Sequence, residues 1–359
     1  MKRFIYPRLA IFTILFSCTY GASNAQQRPY YTQYILNNYI INPAVAGIEN
    51  YTDIKLSHRI QWTGLEGAPV TTYFTIHAPL KKSAFAEREN PTSFHAQGEN
   101  PRGTPYWQSY QKPEPHHGIG FTILNDKTGP LNRFAAYGSY AYHLALTNTT
   151  NLSFGVSAGI TQMSLDNSRV NFGNSTVDPA VATSGTLNSI KPDISAGLWL
   201  YSKDYFVGAS IQQIIPQNIT FSGTAVQVEN GRLVPHIFLQ AGLRLYLSDD
   251  LTLLPSTMVR YINPLPLGVD LNVKLQYQDL LWVGASYRYQ DGFAGMLGVN
   301  LSNSINIGYS YDITTSNLKT VSHGTHEFLV GFLLGNKFGD WCPKNLLDGS
   351  SFFKSRFNL

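Results

Sequence analysis

Hydrophobic and polar residues alternate along the last third of the chain, in stretches separated by very short turns. Within residues 269–277, valine, leucine and tyrosine occupy one face, and the other face carries Asp270, Asn272, Lys274 and Gln276. Successive side chains of a strand point to opposite faces, so the pattern predicts a sheet with one apolar and one polar side. The alternation recurs at 281–290, 293–302, 305–312 and 326–334.

Strands with the same alternation are predicted through most of residues 51–334. The first carries Ile54, Leu56 and Ile60 on one face, and its partner follows at 70–80. Further candidates lie near 118–126, 131–145, 150–163, 192–202, 204–214, 232–247 and 251–262. Stretches of this length cross a bilayer when tilted. The sequence therefore predicts an all-β, transmembrane outer-membrane β-barrel of about 14 antiparallel strands.

Short and long connections between these strands are predicted to lie at opposite ends of the barrel. If the first strand runs outward from the periplasm, the short connections at 202–203, 248–250, 278–279 and 303–304 are periplasmic. The long ones at 164–191, 215–231 and 314–324 are then extracellular, as is usual for bacterial barrels. Residues 81–116 break the rule as a long periplasmic insertion, and we expect either disorder or a docking element there.

The two ends of the chain fall outside the barrel pattern. Lys2, Arg3 and Arg8 precede an apolar run and a small-residue site, so residues 1–25 are predicted to be a cleaved signal peptide. The alternative is a lipoprotein box that would make Cys18 the first mature residue. Residues 26–50 lack alternation and are predicted to cap the periplasmic mouth or enter the lumen. Residues 335–359, which include Cys342, form a predicted periplasmic tail.

The amino-acid composition agrees with a barrel and indicates which classes of partner the protein contacts. Charged residues make up 13% of the chain, about half the share of a typical soluble protein. Aromatic residues also make up 13% and include 22 tyrosines, which suits the aromatic girdles of a barrel in contact with outer-membrane lipid. Removing the three leader cations from the formal charge of +4 leaves +1. Nothing in this balance predicts nucleic-acid binding.

Charged residues on the predicted polar faces are the candidate lumen sites. They are Asp53, Lys55, Arg59 and Gln61 on the first strand, and Asp270, Lys274 and Arg288 further along. Such side chains can bind a partner segment or hold a plug through charge-assisted hydrogen bonds. The alternative is that they only pair with one another across the lumen, as buried charges tend to do.

A glycine-rich turn follows the first strand. It contains Trp62, Gly64, Gly67 and Pro69. Trp62 is predicted to be an interfacial anchor rather than a stacking site, and the other three are predicted to fix the turn, with direct partner contact as the alternative.

Candidate chemistry is sparse, and the sequence predicts no catalytic site, metal or cofactor. His326 and Glu327 are neighbours on a strand, so they face opposite ways and cannot form a dyad. His116, His117, His323 and His326 lack an accompanying cluster of metal ligands. The stretch 125–130 is predicted to be an extracellular turn, in which Asn125 and Asp126 are a weak candidate for calcium.

Several short motifs occur in a fixed order along the mature chain. They are Asn42-Pro43-Ala44 with Ala46-Gly47, Arg59 to Gly64 with Gly67-Ala68-Pro69, Asn125-Asp126 with Gly129-Pro130, Tyr140 to His143, Pro192-Asp193 with Tyr205 to Gly208, and Tyr309 to Asp312. Together they resemble the PorP/SprF family of outer-membrane proteins, which accompany the type IX secretion system of Bacteroidetes, and the resemblance covers nearly all of the mature chain. The sequence departs from the family in the insertion 81–116 and in the stretch 322–327.

The resemblance implies a non-enzymatic role. Proteins of this family help a large secreted surface protein, often a gliding adhesin, to be exported and anchored at the cell surface. The implied partners are the C-terminal domain of that adhesin, secretion components and a periplasmic peptidoglycan-binding lipoprotein. Two alternatives are a diffusion channel or hydrophobic-solute transporter, and a structural barrel that only grips the lipoprotein.

Overall fold

The structure of the chain is a computed structural model. It describes residues 30–80, 115–147, 149–166, 186–220, 227–248, 250–278, 280–302, 304–315 and 320–336. The predicted signal peptide, Cys18 and Cys342 lie outside the described residues, as do nearly all of the predicted insertion and tail.

Fourteen antiparallel strands, counted over the described residues, close into a barrel in which each strand pairs with its neighbour along the chain. The first seven are β1 Thr52–Ile60, β2 Val70–Leu80, β3 His116–Thr128, β4 Leu131–Ala145, β5 Thr150–Asp166, β6 Thr186–Ser202 and β7 Tyr205–Gln212. A hairpin outside the barrel sheet follows, made of β8 Gln217–Thr220 and β9 Gln227–Leu233. The rest are β10 His236–Leu243, β11 Leu245–Tyr246, β12 Leu251–Ile262, β13 Gly268–Tyr277, β14 Leu281–Arg288, β15 Gly292–Ser302, β16 Ile305–Thr314 and β17 Thr325–Leu334.

Two pairings complete the closure. Strands β10 and β11 both pair with β12 and form one barrel strand interrupted at Arg244. Strand β1 pairs with β17 from Thr52 opposite Leu334 to Ile60 opposite His326. The predicted barrel of about 14 antiparallel strands is therefore confirmed.

The burial pattern is the reverse of that in a soluble protein. In β13, Asp270 and Lys274 are buried while Leu271 is exposed. Phe154 and Leu297 are likewise exposed on the outer surface, each by more than half of its area. An outer surface of this kind is stable only in contact with lipid, because so much exposed apolar area would drive association in water.

The two ends of the barrel differ. Thr52 and Leu334 lie at the same end, together with the short connections 203–204, 278–280 and 303–304. We call this the short-turn end and the opposite one the long-loop end. At the long-loop end, β5 and β6 each have 17 residues, whereas β14 has 8, so one wall is much taller. Leu233 of the hairpin packs on this wall against Met163 and Leu187.

Helical structure is slight. Three short 3-10 helices, Thr32–Leu36, Asn38–Ile40 and Pro43–Val45, precede β1. Over the parts of the chain that the structure describes, no helix is long and apolar enough to cross a membrane.

The exposed position of Leu297 leads to a prediction about lipid contact. Leu297 lies halfway along β15 and faces outward, so we expect Leu297→Arg to lower the free energy of unfolding in lipid vesicles by about 2–4 kcal/mol. Urea titration followed by heat-modifiable gel mobility measures the change. Leu297→Val is the matched control and should have little effect. Equal stability of the Arg and Val variants would contradict a lipid-facing position.

Candidate functional site

The chain ahead of β1 runs through the lumen from one end of the barrel to the other. We call residues 30–51 the lumenal segment. Thr32 contacts the long-loop ends of β16 and β17, whereas Ala46 contacts His143 near the short-turn end of β4. Nearly all residues of the lumenal segment are buried, so the interior of the barrel is filled by the protein's own chain.

Residues 42–47, nearest the short-turn end, form what we call the lower part of the lumenal segment. Contacts within this part determine its shape. Asn42 caps the third 3-10 helix, because its Oδ1 accepts a hydrogen bond from the backbone N–H of Ala44 at 3.0 Å. Pro43 fits the first helical position, where its missing N–H costs nothing. The Nδ2 of Asn42 also donates to the backbone oxygens of Leu198 at 2.9 Å and Ala209 at 3.2 Å. One side chain therefore shapes the lumenal segment and fixes it to β6 and β7.

Glycines of the barrel wall let the lumenal segment approach the backbone. A Cβ at Gly118 of β3 would lie 1.9 Å from the oxygen of Ala46, and one at Gly155 of β5 would lie 2.3 Å from the nitrogen of Ala44. At Gly197 of β6 it would lie 2.0 Å from Asn42 Oδ1. These distances leave no space for a side chain, so residues 42–47 are embedded in the wall.

Three histidines bind the same stretch of backbone. His143 Nε2 donates to the oxygen of Ala46 at 2.7 Å, and His116 Nε2 donates to the oxygen of Gly47 at 3.1 Å. The two rings stack with their centroids 4.5 Å apart. His77 Nδ1 accepts from the N–H of Gly47 at 3.3 Å. Among the residues that the structure describes, no group of three His, Cys, Asp or Glu side chains could hold a metal ion.

Residues 30–32, nearest the long-loop end, form what we call the upper part of the lumenal segment. An ion-pair cluster binds this part. Arg59 Nη2 lies 2.7 Å from Asp312 Oδ2, and Arg59 Nη1 lies 3.0 Å from Glu327 Oε2. Thr32 joins them: its N–H donates to Glu327 at 2.9 Å and its hydroxyl donates to Asp312 at 2.6 Å. The Thr32 hydroxyl also accepts from Arg59 at 2.8 Å. We call Arg59, Asp312 and Glu327 the Arg59 cluster.

A second group of charges adjoins the Arg59 cluster. Arg288 lies 3.4 Å from Asp270, 3.0 Å from Asp291 and 4.0 Å from Asp312. The guanidinium carbon of Arg260 lies 3.8 Å from the centre of the Tyr30 ring, and that of Arg288 lies 5.1 Å from it. Such cation–π contacts favour an aromatic residue at this position.

Tyrosine hydroxyls contact the wall between the two ends of the lumenal segment. Tyr39 donates to Ser139 Oγ at 2.9 Å, and Tyr34 accepts from Asn272 Nδ2. Both tyrosines are buried, so these contacts satisfy hydroxyl groups that water does not reach.

The seven predicted lumen residues occupy different parts of the barrel. Arg59, Asp270 and Arg288 meet near the long-loop end, and Gln61 lines a neighbouring cavity. Asp53 and Lys55 pair with each other near the short-turn end, where Asp53 Oδ2 lies 3.7 Å from His77 Nε2. Lys274 Nζ lies 5.9 Å from the Trp282 ring.

Sequence reasoning missed both acidic partners of Arg59. The sequence predicts no lumen role for either residue: Asp312 lies within a family motif, and Glu327 lies beside His326 in the stretch 322–327. Both partners could have been found from the alternation of side chains between the two faces of a strand. In β16 and β17 this alternation places both carboxylates on the inward face.

The turn after β1 is tied to its neighbours. Trp62, Gly64 and Gly67 have φ values of 50°, 95° and 73°, the left-handed region that favours glycine. Gln61 N–H donates to the oxygen of Pro69 at 2.9 Å. The turn also exchanges backbone hydrogen bonds with 323–324 and accepts one from residue 129. Its side nearest the lumen, including Trp62, lines the cavity beside Arg59.

One prediction about residues 125–130 is wrong. Strand β3 continues to Thr128 and the turn is confined to residues 129–130, because the ladder with β4 extends to that point. Asp126 faces inward and accepts from the Thr71 hydroxyl at 2.6 Å, whereas Asn125 faces outward. The two side chains point to opposite faces and cannot share a calcium ion.

Removal of Arg59 should destabilise the barrel strongly. Arg59→Ala leaves two buried carboxylates without their cation, and we expect a loss of about 3–5 kcal/mol in the free energy of unfolding. Urea titration in lipid vesicles measures the loss. Lys127→Ala, at the exposed end of β3, is the control and should change stability by less than about 0.5 kcal/mol. Equal effects of the two substitutions would contradict the assigned contacts.

Glycine substitutions test the embedding of the lumenal segment. Gly118→Ala places a methyl group against the Ala46 oxygen, and we expect a cost of about 1–3 kcal/mol, together with faster proteolysis of residues 30–51. Gly138→Ala, on the adjacent strand, has open space around its Cβ and should be neutral or slightly stabilising. Equal protease resistance and stability in both variants would refute close packing at Gly118.

Comparison with solved structures finds transporters and a translocator domain at low identity. The toluene transporter TbuX of Ralstonia pickettii is 11% identical over 82% of this chain and 92% of its own, with a TM-score of 0.46. The Pseudomonas putida toluene transporter TodX is 11% identical over 87% and 95%, with a TM-score of 0.47. The translocator domain of the autotransporter NalP from Neisseria meningitidis is 12% identical over 79% and 88%, at 0.36. Scores this low carry no argument about function.

Comparison with family models gives a definite result. No curated protein matches the sequence, but residues 23–332 match the family described as type IX secretion system membrane protein PorP/SprF. The match covers most of the chain and the fourteen strands of the barrel, except for the last two residues of β17. Together with the closed barrel it places the protein in the outer membrane. The chain belongs to the PorP/SprF family of type IX secretion system membrane proteins.

Proposed function

We propose that the protein is a plugged outer-membrane barrel that binds a secreted surface protein at its extracellular face. The partner is a protein such as a gliding adhesin, bound through its C-terminal domain, and the barrel connects it to type IX secretion components. The observation that carries the proposal is the lumenal segment, which occupies the interior where a channel would be open.

The filled lumen argues against passage of the partner through the barrel. Cavities beside the lumenal segment measure about 320 Å³, 370 Å³ and 440 Å³, which is space for a few side chains. Wider passage would require displacing residues 42–47 from the wall glycines and breaking the hydrogen bonds from the histidines. A barrel closed in this way is suited to hold a partner rather than to conduct it.

The long-loop end is the surface that suits a secreted partner. In bacterial barrels it is the extracellular end, and here one tall wall and the turn 61–69 surround its mouth. The turn is rigid, because backbone hydrogen bonds tie it to residues 129 and 323–324. Gln61 and Trp62 border the cavity there, so we assign partner contact to these two residues and the turn.

The short-turn end is the surface that suits periplasmic components. Leu80, which precedes the insertion, and His116, its last residue, both lie at this end, and so does Leu334, after which the tail begins. A peptidoglycan-binding lipoprotein is the proposed partner here, since it would lie in the compartment that this end faces.

A hydrophobic-solute transporter is the second candidate function. It is favoured by the mainly apolar cavity of about 370 Å³ between the lumenal segment and strands β7, β10, β12 and β13, which Ile35, Phe206 and Leu254 line together with Lys274.

Affinity purification tests the first proposal. The protein is purified with a tag from outer membranes in mild detergent, and we expect a secreted surface protein and secretion components to accompany it. Trp62→Ala should reduce recovery of the surface protein at least fivefold without changing heat-modifiable mobility. Leu247→Ala, exposed at the opposite end, should leave recovery unchanged. Absence of any surface protein or secretion component would overturn the proposal.

Planar-bilayer recording separates the two candidates. The first predicts little steady conductance, because the lumenal segment blocks the pore. An open, ohmic pore would favour the diffusion channel or transporter.

A further inference from the structure

The lumenal segment is held in two physically different ways. Residues 42–47 are embedded against wall glycines and bound by hydrogen bonds with histidine and asparagine side chains. Residues 30–32 instead contact charged side chains near the long-loop end. The lower part cannot leave without repacking the wall. The upper part can leave by exchanging hydrogen bonds and cation–π contacts, together with the edge-on contact of the Tyr31 ring with Tyr73.

The upper contacts use groups that another polypeptide can supply. Thr32 contributes a backbone N–H to Glu327 and a hydroxyl to Asp312, and Tyr30 contributes a ring to Arg260 and Arg288. An extended chain with an aromatic residue two positions before a serine or threonine presents the same three groups.

The Arg59 cluster does not depend on Thr32 for charge balance. Arg59 contacts both carboxylates directly, and Arg288 lies 4.0 Å from Asp312, so departure of Thr32 removes hydrogen bonds but breaks no ion pair. The cluster also has spare hydrogen-bonding capacity, since Arg59 Nε and Asp312 Oδ1 have no hydrogen-bond partner within the described residues. Arg59 and Asp312 are only 2% and 6% exposed, and a buried polar atom without a partner favours binding of a group that satisfies it.

A cavity adjoins these groups at the long-loop end. It has a volume of about 320 Å³ and is lined by Arg59, Trp62, Arg288 and Asp312, among others. A side chain or a short stretch of polypeptide entering from outside would meet Trp62 first and the Arg59 cluster next.

We propose that the Arg59 cluster, with Arg260 and Arg288, is an exchangeable peptide-binding site. Its resident occupant is Tyr30 to Thr32 of the same chain. A segment of the secreted partner, with an aromatic residue two positions before a serine or threonine, replaces this occupant. Only the source of the incoming segment rests on the proposed function, because the site itself exists in the isolated barrel.

Peptide binding to the purified protein tests the site. The probe is a fluorescent peptide of residues 26–34, and its anisotropy is followed with the full chain and with a variant lacking residues 26–33. We expect the deletion variant to bind the probe at least tenfold more tightly than the full chain. Thr32→Val in the full chain should bind it with intermediate affinity, and this variant decides the question if the deletion fails to fold.

Changes on each side of the contact give the controls. In the deletion background, Glu327→Gln should weaken binding at least tenfold, and a probe with valine in place of threonine should lose as much. Asp193→Asn alters another buried lumenal carboxylate, which accepts from Tyr137 at 2.8 Å, and should leave affinity unchanged. No binding to the deletion and Thr32→Val variants, or binding insensitive to Glu327→Gln, would overturn the proposal. Neither outcome involves a secreted partner. Failure of this peptide-binding site can therefore be distinguished from failure of the proposed function, which would appear as an absence of co-purified surface protein.

Thiol labelling tests exchange in the full chain. In a Cys342→Ser background, Ile35→Cys places a buried thiol three residues after Thr32 in the same 3-10 helix, and Val45→Cys places one in the lower part. We call these the upper and lower cysteines; the native residues are 7% and 3% exposed. We expect a soluble maleimide to label the upper cysteine at least tenfold faster, and excess unlabelled probe peptide to accelerate only that reaction. Equal rates, unaffected by the peptide, would show that the upper part does not exchange.

Discussion

The pairing of β1 with β17 is the constraint on which the rest of the structure depends. Lipid offers no hydrogen bonds to backbone N–H and C=O groups, so a sheet within a bilayer must close on itself. Nine residue pairs join the first and last strands, and with the contact of β10 to β12 no barrel edge remains unpaired over the described strands. The apolar exterior and polar interior follow from this closure, because alternation then assigns every second side chain to lipid.

Closure produces a polar interior that has to be satisfied. Inward side chains such as Ser153, Ser210 and Gln212 donate to backbone oxygens of the lumenal segment, at 2.6 to 3.0 Å. The chain ahead of β1 thus supplies acceptors that water would supply in an open pore. Apolar residues of the same segment pack beside them, with Ile48 and Ala44 completely buried. The barrel and the lumenal segment form one core, and neither is complete alone.

Alternation in the sequence was sufficient for the barrel but not for its interior. Period-two patterns predicted the strand count, and parity places Arg59 and Asp270 on the inward face. Parity cannot say which inward residues meet, because that depends on stagger around the closed sheet; Arg59 and Glu327 are 268 residues apart in the chain. Residues 30–50 have no alternation, so their path through the barrel could not be predicted. The need for glycine at positions 118 and 155 becomes clear only when that path is known. The predicted turn at 125–130 is wrong because the pairing of β3 with β4 continues to Thr128, and only Gly129 and Pro130 form the turn.

The direction of the lumenal segment constrains biogenesis. Tyr30 lies near the long-loop end, and the chain runs from there to the short-turn end before β1 begins. A completed barrel could not be threaded in this direction from the short-turn end without carrying polypeptide through a packed interior. The sheet must instead fold around the lumenal segment while that segment already lies along the barrel axis. Pairing of β1 with β17 then closes the barrel around it.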